Sequence, residues 1–167
     1  ARDDPWDVLS PHHRWEPRSF TAVSLARAFG LSAPVVDVVI VPSVSGRPAS
    51  VTLVKKNGAR VLLRAADVRA RLGLRSTAFR LGVLRVGRPP VATAAGTPVV
   101  VSGLARDVES PLLEKLTATR GWLPSAKVTP AEDGSFAVTV RPKATATYRL
   151  TAEGQVGPAL TITVPAG

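Results

Sequence analysis

The chain has 167 residues, with 22 Lys and Arg against 12 Asp and Glu, a formal charge of +10, and neither Cys nor Met. The absence of Cys excludes a disulfide framework, a thiolate zinc site, an iron–sulfur cluster and a thiol nucleophile. The densest apolar run, Val35 to Val41, is interrupted by Asp37 and falls far short of a membrane span. An apolar fraction of 45 % is that of a folded protein, and the lack of Met leads us to expect a mature, clipped or dissected piece of a longer product, with no signal peptide in the sequence itself.

Length allows one large domain or two small ones, and the charge favours two. Residues 1–88 hold 15 basic and 6 acidic side chains, a balance of +9, whereas residues 89–167 hold 7 and 6. The character changes at Arg88-Pro89-Pro90, so the expected division is 1–88 and 89–167. Pro5, Pro11 and Pro17 make residues 1–18 an irregular lead-in that packs Trp6 and Trp15 on the domain. Ser19 or Thr21 then caps a short helix carrying Ala22, Leu25, Ala26 and Phe29, with Gly30 as its left-handed end. Val35 to Val41 is β-branched and dense, as in a strand buried on both faces. Ser45-Gly46-Arg47 marks a turn. Ser50 to Val54 and Ala59 to Arg64 flank Asn57-Gly58, which supplies the positive φ angles of a tight hairpin. Ala66 to Leu72 is a second short helix closed by Gly73, and Ala78 to Leu84 is a strand with Phe79 and Leu81 on one face. The first half is therefore an α+β region of mixed short helices and β-strands.

In the second half, Val99 and Val101 share a strand face ending before Gly103, and Leu112 to Thr119 follows an acidic loop. Trp122 introduces a strand near Ala126 to Thr129 and suits an inter-sheet core. Asp133-Gly134 is a turn. Phe136, Val138 and Val140 alternate after it, Tyr148 and Leu150 share a face of Thr147 to Ala152, and Leu160, Ile162 and Val164 close the chain. Six or seven short strands at about ten-residue spacing predict an all-β sandwich, with Tyr148 placed for a tyrosine corner.

Two stretches carry family resemblance. Ser10-Pro11-His12-His13-Arg14-Trp15, then Phe20-Thr21 and Ser45-Gly46-Arg47, then Val68-Arg69-Ala70-Arg71-Leu72-Gly73-Leu74-Arg75-Ser76-Thr77-Ala78-Phe79, stand in an order that closely resembles the C-terminal part of the stage II sporulation protein D / LytB domain (SpoIID/LytB) over roughly residues 2–82. Ala78 departs from the Trp or Asn often found before that Phe. Asp133-Gly134-Ser135-Phe136 and Thr147-Tyr148-Arg149-Leu150 make residues 90–165 similar to a bacterial immunoglobulin-like module. The first resemblance implies an exported protein of the cell wall or extracellular space acting on peptidoglycan, as a lytic transglycosylase or an amidase enhancer. The family's catalytic glutamate lies in an upstream segment resembling Pro-Ala-Glu-Met. None of Glu16, Glu109, Glu114, Glu132 or Glu153 sits in such a motif, so this chain is expected to hold no catalytic residue, no metal and no cofactor, and to be inactive alone. The implied partners are peptidoglycan or another anionic cell-wall polymer and the remaining N-terminal part of the parent protein.

Among individual residues, Arg14 and Trp15 are candidate ligand contacts, because an indole face stacks on a sugar and a guanidinium pairs with a stem-peptide carboxylate. Burial of Trp15 in the core is the competing reading. Arg75 and Ser76, exposed after the second helix, are the other candidates, set against a structural ion pair from Arg75 to Asp67. His12 and His13 are the only histidines and lack a metal-ligand spacing. Seventeen of the 22 basic residues are Arg, which fits a GC-rich coding sequence and a general solvated basic surface. Two further function classes stay open: a non-catalytic wall-binding or adhesion module, and a nucleic-acid-binding basic domain. The latter is disfavoured by the lack of interleaved aromatics and reading motifs.

Overall fold

The computed structural model describes residues 17–87 and 92–165. Strands take 48 % of it and helices 10 %, so the protein is mostly β, built from antiparallel sheets. The chain divides into two units, residues 1–81 and 82–167. No helix among the described residues is long and apolar enough to cross a membrane.

In the first unit, helix α1 (Ala22–Ala28) begins where Thr21 Oγ1 accepts the Ser24 amide at 3.0 Å, satisfying one of the free donors of the first turn. It ends in a Schellman motif. Gly30, at φ +67°, donates to Arg27 O, and Leu31 donates to Ala26 O. Strands β1 (Val35–Pro42), β2 (Pro48–Lys55) and β3 (Arg60–Arg64) form an antiparallel meander in the order β1-β2-β3. Helix α2 (Ala65–Leu72) follows β3 without a linker and packs on β2 and β3 through buried Ala65, Val68 and Leu72. Gly73, at φ +62°, closes it as expected.

Two expectations change here. Val35–Pro42 is not buried on both faces. Val38 is buried while Val39 and Val41 are exposed, because β1 is an edge strand of a sheet with one open face. The hairpin at Asn57-Gly58 exists, but only Gly58 is left-handed (φ +83°). Its amide donates to Lys55 O and the Lys55 amide donates to Ala59 O, the longer loop with a glycine bulge rather than a two-residue turn. The same pattern recurs at Ser43–Arg47 around Gly46.

The second unit holds two antiparallel sheets. One has the order β4-β5-β8, from Val83–Val86, Val99–Arg106 and Ser135–Val140. The other has the order β10-β9-β6-β7, from Gln155–Ile162, Ala146–Ala152, Leu112–Thr117 and Gly121–Lys127. Their inward residues share one apolar core of Val99, Val101, Ala105, Leu113, Val128, Phe136, Val140, Ala146, Tyr148, Leu150 and Ile162. Ala92 makes a parallel bridge to Thr163, beyond the end of β10. The strand expected over Ala78–Leu84 starts only at Val83. Its partner β5 ends at Arg106, opposite Val83, so the ladder extends no further back.

Gly103 does not terminate β5 either. It sits mid-strand where β4 comes close, and a Cβ there would collide with the Arg85 carbonyl and lie 2.8 Å from the Phe136 ring. Gly103→Ala is expected to lower unfolding stability by about 2 kcal/mol in denaturant titrations, since neither backbone nor packed ring yields easily.

Tyr148 is core, 2 % exposed, and among the described residues no hydrogen bond reaches its phenol, so the expected tyrosine corner is absent. Burial raises its pKa above the ordinary phenol value. The folded chain therefore holds this proton more tightly than the unfolded chain. The associated stability is complete below the unfolded value of about 10 and is lost as pH rises from there through the folded value. Tyr148 is the sole tyrosine, so tyrosinate absorbance reads it alone. Its midpoint should lie above 10 in the native protein and return to about 10 in denaturant, and Tyr148→Phe should flatten the alkaline fall in melting temperature.

Candidate functional site

The clearest side-chain constellation stands on the outer face of the four-stranded sheet. Along β9, Ala146, Tyr148, Leu150 and Ala152 are buried and the residues between them are half-buried on the other side, as a two-residue period requires. Arg149 is thereby turned outward. On β6, buried Leu113 sends Glu114 the same way, and the register sets Glu114 directly opposite Arg149. The Arg149 Nε donates to Glu114 Oε2 at 2.7 Å, with side chains 23 % and 17 % exposed. The guanidinium carbon lies 4.2 Å from the centroid of Trp122. Trp122 pairs across the ladder with Leu116, which is 43 % exposed.

Trp122 thus stands outside the inter-sheet core for which its sequence position suited it. The turn at Thr117–Gly121 decides this: Thr117 Oγ1 donates to Gly121 O at 2.9 Å and accepts from the Arg120 amide, and Gly121 is left-handed. That closure pairs Trp122 with outward Leu116. The result is a half-buried indole with a guanidinium fixed over it and the guanidinium held in turn by a carboxylate. A cation over an indole contributes about 1 kcal/mol when partly shielded, and the ion pair is worth more than a fully solvated one because both side chains are largely covered. The ensemble is a rigid, amphipathic surface able to stack a sugar or another flat ligand.

Of the four residues singled out from the sequence, only Arg75 and Ser76 are among the described residues. Arg14 and Trp15 lie outside the described residues, as do His12, His13 and Trp6. Arg75 is exposed and Ser76 half-buried in the turn after α2. Ser76 Oγ accepts the Ala78 amide at 3.0 Å, which gives it a turn-forming role. Asp67, the expected structural partner of Arg75, is engaged by Arg64 through two hydrogen bonds of 3.0 and 3.2 Å. The Arg64 hydrogen bond is the main reason its carboxyl lies below the ordinary range. The signal for the Trp122 site was present in the alternation of β6 and β9; what the sequence withheld was which strands pair.

Three further carboxylates among the described residues bond backbone amides. Asp133 Oδ1 accepts the Ser135 amide at 2.8 Å, which lowers its pKa. Glu153 Oε1 accepts the Glu109 amide, and Asp37 Oδ1 accepts the Val38 amide. Among the described residues no three His, Cys, Asp or Glu side chains gather as a metal site. No protein-family model, curated protein or solved structure matches the chain.

A double-mutant cycle with Glu114→Gln and Arg149→Met, read by denaturant unfolding, should give a coupling energy of about 1 kcal/mol. Trp122→Leu in the Arg149→Met background should cost less than in the parent, because the cation over the ring is already gone.

Proposed function

We propose that the chain is a non-catalytic, wall-binding portion of an exported peptidoglycan-remodelling protein. In this reading the first unit continues a domain resembling the SpoIID/LytB family. The second is an immunoglobulin-like sandwich that holds the protein on its polymeric substrate. The observation that carries the binding role is the Trp122–Arg149–Glu114 face, a prefixed stacking surface with an exposed aliphatic neighbour. Pre-organisation of this kind lowers the ordering cost of binding a flexible glycan.

Strand order supports the sandwich assignment. Lettered from β4, the sheets read A-B-E and G-F-C-C′, and the parallel bridge from Ala92 to Thr163 sets the segment after A beside the segment after G. Two sheets with crossing connections and a shared core are the immunoglobulin-like arrangement. The SpoIID/LytB-like stretch Leu72-Gly73-Leu74 forms the end of α2, with Leu72 in the core, Gly73 left-handed and the Leu74 amide on Arg69 O. That part of the motif is a folding element, in line with a chain that supports a site located elsewhere.

Retention on purified, phosphate-stripped peptidoglycan tests the reading. The parent chain should sediment with the sacculi and release no soluble glycan. Trp122→Ala should reduce retention at least about tenfold while the circular-dichroism melt shifts by only a few degrees. Undiminished retention of Trp122→Ala, or glycan release by the parent chain, overturns it.

A further inference from the structure

The first unit carries its own electrostatic signature. Residues 17–81 include 11 Lys and Arg against two acids, Asp37 and Asp67, and Asp67 is occupied by Arg64. Around α2 the excess has a definite arrangement. Ala65, Val68 and Leu72 form the buried stripe. At about 100° per residue, Arg69 and Arg71 leave the helix on opposite flanks of its outer surface. Exposed Ala66 and Ala70 lie between them, with Asp67, held by Arg64, beside Arg71. Neither guanidinium has a hydrogen bond or ion pair among the described residues. Both stand in the last turn, where the helix dipole favours cations. A third guanidinium comes from outside the helix: Arg18 Nη1 donates to Leu72 O at 2.7 Å.

We propose that this end of α2 is a docking lane for a polyol-phosphate polymer of the cell wall, with the polymer backbone crossing the small alanine floor and its phosphodiesters paired to Arg69 and Arg71. Guanidinium groups match phosphate oxygens in bidentate geometry. The low side chains of Ala66 and Ala70 let a thin chain lie close to the helix. The same outer surface offers nothing to a nucleobase. It presents Ala, Arg and the Arg64-paired Asp67, without an aromatic ring. Polymers read by stacking need such rings. The source of the polyanion rests on the wall-binding role proposed above, whereas the geometry of the lane does not.

The test uses the full chain and purified poly(glycerol phosphate), with binding followed by calorimetry at low and then rising salt. Binding should be salt-sensitive, as phosphate pairing requires. R69Q/R71Q should weaken it about tenfold, and Arg69→Lys with Arg71→Lys should retain part of it. R141Q/K143Q, which removes the same charge from exposed positions of the second unit, should change it less than about twofold. Equal weakening by R141Q/K143Q would reduce the effect to bulk charge and overturn the lane. So would equal or tighter binding of single-stranded DNA or polyglutamate, or an unaffected R69Q/R71Q. Retention on phosphate-stripped peptidoglycan, measured on the same preparations, separates the two ideas. Trp122-dependent retention without polymer binding defeats the lane alone; polymer binding without retention defeats the glycan-stacking role alone.

Discussion

The strict alternation of β9 is the constraint on which the second unit depends. Four inward side chains, Ala146, Tyr148, Leu150 and Ala152, are all buried between the sheets, and the strand is hydrogen-bonded on both sides, to β10 and to β6. A slip of one residue would drive Arg149 into the core and expose Leu150. Burial of an unpaired guanidinium costs far more than any surface contact gains, so the register is fixed by what it must exclude. The outward face follows from the same rule. Arg149 meets Glu114 and Trp122 because Tyr148 and Leu150 have nowhere else to go.

Much of the fold was legible where one physical rule governs one segment. Thr21 as a helix cap, Gly30 and Gly73 as left-handed ends, and the alternation of Phe136, Val138 and Val140 are all local matters. The failures share a different cause. Val35 to Val41 has the composition of a doubly buried strand, yet its burial depends on its place in the sheet order. Gly103 has the local look of a strand end, but its small size answers to the Arg85 carbonyl of neighbouring β4 and to the Phe136 ring. Ala78 to Leu84 contains strand-forming residues without a partner until Val83. Each outcome was set by a neighbour distant in sequence, which no local propensity records.

The candidate site shows the same division more sharply. Trp122, Arg149 and Glu114 are separated by up to 35 residues, and only the pairing of β6 with both β7 and β9 gathers them. Reading residues for their individual chemistry led instead to Arg75 and Ser76, of which Ser76 builds a turn. Cations that look interchangeable in a charge count are also divided by their surroundings. Arg18 and Arg64 help to finish the two ends of α2, while Arg69 and Arg71 project from the same helix with no hydrogen bond or ion pair among the described residues, the Arg71 charge reaching Asp67 only at longer range.

Both outer strands of the four-stranded sheet carry a proline at an irregular point. Pro124 interrupts β7 next to the shift between Leu113 and Glu114, and Pro158 falls within the shift between Val156 and Ala159 on β10. Each removes one backbone donor and breaks the regular ladder on an edge strand, which weakens it as a template for a further strand. Edge-to-edge pairing of two copies of the chain through this sheet is thereby disfavoured.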